Sequence, residues 1–215
     1  DRQYEAEKLL LDRALVDYPN DPDLLGQLGW VYVRWQPRPR IEEARKCFER
    51  AASLNCRTAS MYWQWWRMEA DRSNWAMAIR AAKKGLQNCP NAIEFQYCLG
   101  YSHSRFGKAL ELQFQYSRAQ DEFGKAKSIL ERALASVENI TIENYKLRSQ
   151  VYRSLILTYE ALLNYIDEKM EEWKERKLKS HIINTMKDWS QKHPSDDYMI
   201  HEWERLSARY PELAS

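Results

Sequence analysis

Glycine is scarce in this chain, with six residues in 215, and proline contributes only seven. That excludes collagen-like and Gly/Ser-linker sequences and most many-turned all-β designs. No apolar run approaches the roughly 20 residues that a membrane-spanning helix requires. Neither sign of charge prevails, with 33 basic against 31 acidic residues and a net charge of +2. The four cysteines, Cys47, Cys56, Cys89 and Cys98, form no CxxC pair, and no histidine stands at metal-ligand spacing from them. They read as reduced thiols of an intracellular, cytoplasmic protein, so no metal site and no cofactor is expected. A phosphate-binding glycine loop is missing too. Gly107-Lys108-Ala109 and Gly124-Lys125-Ala126 lack its spacing and its Ser/Thr. HExxH and GxSxG are absent, and His103, His181, His193 and His201 sit apart. With no nucleophile, base and orienting group to assemble, the chain is not expected to be an enzyme. Asn139-Ile140-Thr141 has the form of a glycosylation acceptor but lacks a secretory signal, and reads as chance.

What is present is a folding composition, 44% hydrophobic and 30% charged. The length suits one large domain or two small ones. The sequence opens inside a helical pattern at Asp1, and is expected to be a piece of a longer protein. Charge varies along it. Residues 1–30 carry three basic and seven acidic groups, whereas residues 31–90 carry twelve basic and five acidic, a local +7. That basic stretch also holds Trp35, Trp63, Trp65, Trp66 and Trp75, with Trp30 at its edge. Basic groups interleaved with aromatics suit nucleic acid or an acidic peptide. The plainer expectation is a solvated charged face over a core that holds most of the indoles.

Repeats organise the first two thirds. Ala44, Phe48 and Ala51 read A-x3-F-x2-A, and Ala78, Ala82 and Gly85 repeat small-x3-apolar-x2-small 34 residues on. Glu7, Leu11 and Ala14 precede them, and Ala126, Leu130 and Ala133 follow. A helix-breaking column trails each set at Pro19, Cys56, Pro90 and Glu138. Ahead of the last three sets runs another column. Leu25, Leu28, Gly29 and Tyr32 recur as Tyr62, Trp65, Trp66 and Glu69, then as Gln96, Leu99, Gly100 and His103. This resembles the tetratricopeptide repeat family, whose pattern is W-x2-L-G-x2-Y, then A-x3-F-x2-A, then Pro, over 34 residues. The resemblance covers about residues 5–138, in three to four repeats. It implies an all-α fold, an α-solenoid of stacked antiparallel hairpins winding as a right-handed superhelix. Small residues at Gly29, Gly100, Ala44 and Ala78 let paired helices approach, and large ones at Phe48 and Leu130 fill the grooves. Trp66 departs from the pattern, since it stands where a small residue belongs.

Helices are predicted near 2–17, 22–36, 41–54, 59–71, 74–88, 91–107, 123–137, 142–165, 169–192 and 196–209. Asp21-Pro22 marks one start, Asn91 and Thr141 weaker ones, and Ser195 caps the last helix. Residues 1–138 read as repeats with an insertion at 108–122. Residues 139–215 read as a degenerate hairpin and a C-terminal capping helix of the same solenoid. The insertion is itself helical in composition and prolongs the third hairpin.

The resemblance also implies a concave groove lined by the first helix of each unit. Carried over position by position, its candidate residues are Trp30, Arg34, Trp63, Gln64, Arg67, Tyr97, Tyr101 and Arg105. Aromatics give rigid contact area, and arginines grip carboxylates with two hydrogen bonds. The family's clamp for chaperone C-termini uses Lys and Asn where this chain has Gly26, Trp30, Gln64 and Arg67, so chaperone-tail binding is not expected. The expected function is a non-catalytic scaffold that binds a peptide or folded protein partner. One alternative is RNA or single-stranded nucleic-acid binding by residues 31–90, which would fall steeply with salt. Another is the sensor domain of a multidomain signalling or defence protein.

Overall fold

The computed structural model describes residues 2–138, 145–165 and 172–211. Asn139, Thr141 and the predicted helix start near 169 lie outside them. The described residues form ten helices and no strand: α1 (Arg2–Asp17), α2 (Pro22–Arg34), α3 (Ile41–Ser53), α4 (Ala59–Ala70), α5 (Trp75–Asn88), α6 (Glu94–Leu112), α7 (Tyr116–Glu138), α8 (Tyr145–Leu163), α9 (Glu172–Lys192) and α10 (Asp197–Arg209). The chain divides into two compact units, Asp1–Cys98 and Leu99–Ser215.

Local chemistry sets the helix ends. The Asp21 carboxylate accepts from the backbone N–H of Asp23 at 2.9 Å and of Leu24 at 3.0 Å, and Pro22 fills the first turn, where its missing N–H costs nothing. At the start of α10 the cap is Asp196, one residue beyond the predicted Ser195. Its carboxylate accepts from Tyr198 N–H at 3.0 Å and Met199 N–H at 3.4 Å. The helix predicted from Asn91 starts instead at Glu94. Three helices end alike. The N–H groups of Cys56, Asn74 and Gln115 reach back to the carbonyls of Ala51, Glu69 and Leu110 at 3.0–3.1 Å. Each closure turns on a left-handed residue just before it, namely Asn55, Ser73 and Phe114, with φ of 57°, 56° and 59°.

In the first unit the small residues lie under the large ones. A Cβ on Gly29 would stand 2.7 Å from Phe48 Cε1, and one on Gly85 would stand 2.8 Å from Phe95 Cδ1, so α2 meets α3 and α5 meets α6 at van der Waals distance. A Cβ on Gly26 would meet Met61 Cγ at 2.8 Å, which brings α4 equally close to α2. Phe48 stacks on Trp65 at 6.5 Å and Tyr62 meets Phe95 edge-on at 6.2 Å, so aromatic contacts carry the packing on to the next hairpin. In α4 the side chains of Tyr62, Trp65 and Glu69 are buried, while Trp66 is half-exposed. The departure at Trp66 is met from the other helix, because Ala78, Ala81, Ala82 and Gly85 of α5 are all buried.

The second unit uses the same device over longer helices. A Cβ on Gly100 would lie 2.7 Å from Leu130 Cγ, and one on Gly107 would lie 2.8 Å from Phe123 Cε1. Gly107 is seven residues, or two turns, beyond Gly100, and Phe123 is seven before Leu130. Residues 108–122 are therefore the end of α6, a turn at 113–115 and the start of α7. They add a second glycine-under-knob step to the antiparallel pair. Behind it, α8 buries Val151, Tyr152, Leu155, Ile156 and Tyr159. Tyr152 stacks on Trp189 of α9 at 5.9 Å with the rings 8° apart. In α10 Leu206 is buried, Trp203 half-buried and Ile200 exposed, and Met199 takes an inward position.

Candidate functional site

The predicted groove residues divide between the two units. In the first unit they come from α2, α4 and α6. On α2, Trp30 and Arg34 are one turn apart and both half-buried. The Arg34 guanidinium lies 5.4 Å from the Trp30 ring and 5.9 Å from the Tyr4 ring of α1, and its Nη2 donates to Glu7 Oε2 at 3.0 Å. On α4, Trp63 and Arg67 repeat the one-turn spacing, with the guanidinium 5.2 Å from the Trp63 ring. Trp63 is 37% exposed and meets Trp66 at 6.4 Å. Gln64 beside it is half-buried, and so is Tyr97 on α6. In the second unit, Tyr101 is half-buried and Arg105 exposed, one turn apart on α6.

Helical spacing produces these pairs. Residues i and i+4 stack one above the other on a helix face, so an arginine one turn past a tryptophan lays its guanidinium across the ring. The other tryptophans of the basic stretch behave differently. Trp35, Trp65 and Trp75 are buried, which leaves Trp30, Trp63 and Trp66 as the indoles that reach solvent.

Some ionisable groups turn inward. The column occupied by Tyr32 in α2 holds Glu69 in α4 and His103 in α6. Glu69 is fully buried, and Arg45 of α3 grips it with Nε at 2.6 Å and Nη2 at 2.9 Å, while Asn74 adds a third bond at 3.0 Å. The bonds to Glu69 push Arg45 above its ordinary pKa against the pull of burial. In the second unit, His103 Nδ1 is 2.5 Å from Glu122 Oε2, and Lys125 Nζ is 2.6 Å from Oε1. Burial acts to raise the Glu122 pKa, but the bonds from Lys125 and His103 outweigh it and hold the carboxyl below the ordinary value. His103 is thus a packed, carboxylate-bonded histidine.

All four cysteines are free thiols. Burial pushes Cys47 up to about 11, far from a reactive thiolate at neutral pH. Among the described residues, no group of three His, Cys, Asp or Glu could hold a metal ion, and no helix is long and apolar enough to cross a membrane.

The repeat columns hide two features of the first unit. Tyr4 and Glu7 join the Arg34 cluster from another helix, and Glu7 lies 27 residues away. Arg45 completes the Glu69 cluster from 24 residues away. A glutamate in a column otherwise set aside for packing was the available signal for the second.

No protein family and no curated protein matches the chain. Among solved structures it is similar to MamA, with a TM-score of 0.40 and 17% identity over 75% of this chain and 90% of that one. It is also similar to PilF of Pseudomonas aeruginosa, with a TM-score of 0.37 and 15% identity over 95% of this chain and 90% of that one. The described residues are all-α, and glycines seated under large side chains of a facing helix recur at Gly29, Gly85 and Gly100, in the columns where the sequence places them.

Proposed function

We propose that the chain is a non-catalytic protein-interaction module of an intracellular protein, and that it holds a peptide or folded partner on the first-helix face of its first unit. The observation that carries this reading is the exposed Trp63–Arg67 pair. A large ring at 37% exposure with a guanidinium lying over it offers a partner rigid contact area and charged donors on one exposed face. Trp30, Arg34, Gln64 and Tyr97 belong to the same proposed surface. The residues that do meet chemistry elsewhere, Glu69 and His103, are fully engaged in packing.

The test is affinity capture with the whole chain beside a Trp63→Ala/Arg67→Glu variant. Both sites are exposed, so the variant should keep its helicity and melting temperature. Loss of the captured protein supports the reading. Equal capture by a folded variant overturns it, and so does capture of RNA alone with a steep salt dependence.

A further inference from the structure

The chain contains, within itself, one example of what its indole–guanidinium pairs bind. At Trp30–Arg34 the cation lies over two rings, with Trp30 at 5.4 Å and Tyr4 at 5.9 Å. Its Nη2 meets a carboxylate that arrives from a different helix, Glu7 of α1, at 3.0 Å, while its Nε is buried. Stacking covers the faces of the guanidinium and leaves its terminal Nη2 able to bond a carboxylate. That is the geometry in which arginine recognises a carboxylate.

Trp63–Arg67 has the same parts. The residues are again one turn apart, the guanidinium is 5.2 Å from the ring, and a second aromatic, Trp66, flanks the indole at 6.4 Å. The difference lies in the anion. The carboxylate beside Arg67 is Asp71, one turn further along the same helix and 3.7 Å away, which is beyond hydrogen-bonding distance. The two side chains are 58% and 65% exposed, so this contact contributes little and is easily displaced. The surroundings favour an anion from outside, because residues 31–90 carry twelve basic and five acidic groups. One of those five, Glu69, is buried against Arg45 and offers nothing to the surface.

We propose that Trp63 and Arg67 bind a glutamate or aspartate side chain of an acidic partner segment, in the role that Glu7 plays at Trp30 and Arg34. The proposal rests on the protein-interaction reading and names the chemistry of the partner. Tryptophan at 63 supplies the wall, and arginine at 67 supplies the paired donors. The occupant is an acidic peptide rather than an apolar one, because a guanidinium that must shed its water needs a charged acceptor in return.

The probe is a fluorescein-labelled twelve-residue peptide of alternating glutamate and glycine, titrated with the whole chain at low salt and read by anisotropy. Alternating glutamine-glycine and lysine-glycine peptides serve as controls. The glutamate peptide should bind, weaken as salt rises, and lose on the order of tenfold in affinity on Arg67→Gln, the loss expected for hydrogen bonds to a charged group. Arg67→Lys should recover only part of it, since lysine keeps the charge without the planar fork. Equal binding of the glutamine peptide would overturn the proposal, as would unchanged affinity in Arg67→Gln. If the glutamate peptide fails to bind while Trp63→Ala/Arg67→Glu still abolishes capture of a protein partner, the acidic-partner proposal falls and the interaction reading stands. If capture survives that variant, the interaction reading falls with it.

Discussion

The two units pack their helices in the same way, and each buries a glutamate gripped by arginine, but they differ in helix length and in the arginine–indole pairs that the first displays. In each, glycines sit beneath large side chains of the opposing helix, Gly29 under Phe48 in the first and Gly100 under Leu130 in the second. The first unit builds α2 to α5 from short helices of 12 to 14 residues and displays arginines stacked on indoles. The second builds α6 to α9 from helices of 19 to 23 residues and ties them together with polar bonds. Thr158 of α8 donates to Ser104 of α6 at 3.0 Å, and Tyr159 donates to Glu131 of α7 at 2.7 Å. The buried Glu160 accepts from Arg205 at 2.6 Å and Arg209 at 2.9 Å, both on α10. One packing rule therefore leaves room for two uses of charge. Displayed cations cost the fold little, whereas buried carboxylates must be matched bond for bond.

The largest effect expected is from filling the close approaches themselves. Gly29→Trp and Gly100→Trp should each destabilise by about 3 kcal/mol or more in urea unfolding, because a Cβ alone already reaches 2.7 Å from its neighbour. A cost below 1 kcal/mol in either unit would show that the shared packing rule is wrong there.

Breaking a buried ion pair should come next. Arg45→Met leaves the fully buried Glu69 carboxylate without its two strongest donors and should cost about 3 kcal/mol. Arg67→Met, at an exposed cation, should stay within about 0.5 kcal/mol. Equal costs at the two sites would erase the distinction between displayed and buried charge.

The second unit should also be the more sensitive to acid. The Glu122 carboxyl is held below its ordinary pKa. Its contribution to stability is complete above the unfolded-state value and is lost as pH falls through the lower folded value. His193 is likewise lowered, by burial first and then by Arg148, so protonating it disfavours the folded state as pH falls below the histidine range. Unfolding midpoints measured from pH 7 to pH 3 should fall for the parent chain and fall less for Glu122→Gln. Parallel curves would refute the assignment.

The smallest change expected is a gain. Phe114 is 78% exposed and adopts the left-handed conformation at the closure of α6, where a bulky L-residue pays a steric cost. Phe114→Gly should stabilise by about 1 kcal/mol, whereas the same change at Asn55, whose side chain tolerates that conformation, should gain less. Thermal melts of the two variants decide it.

Much of this comparison was legible in the sequence wherever it depends on spacing. The 34-residue columns located Gly29, Phe48, Gly100 and Leu130 because helix pairing repeats along the chain. Asp21-Pro22 located a helix start because capping is local. The extra fourteen residues between Gly107 and Gly124 were visible, but not that they split into seven on each helix, which only the pairing of Gly107 with Phe123 reveals. Ser195 and Asp196 are both good caps in sequence, and Asp196 is chosen in the fold, where Ser149 and Trp189 also donate to its carboxylate. Long-range polar partners were invisible. Arg205 lies 45 residues from Glu160, and Glu7 lies 27 from Arg34, with no periodicity to connect them. For the same reason the sequence set Arg34 and Arg67 alike among the candidate groove residues and missed that Arg34 already holds a carboxylate.

The central claim is that Trp63 and Arg67 serve a partner and not the fold. Urea unfolding and partner capture measured side by side on Trp63→Ala/Arg67→Glu test it most directly. The account predicts an unfolding midpoint close to the parent's together with lost capture. A sharply lowered midpoint, or capture at the parent's level, would contradict it.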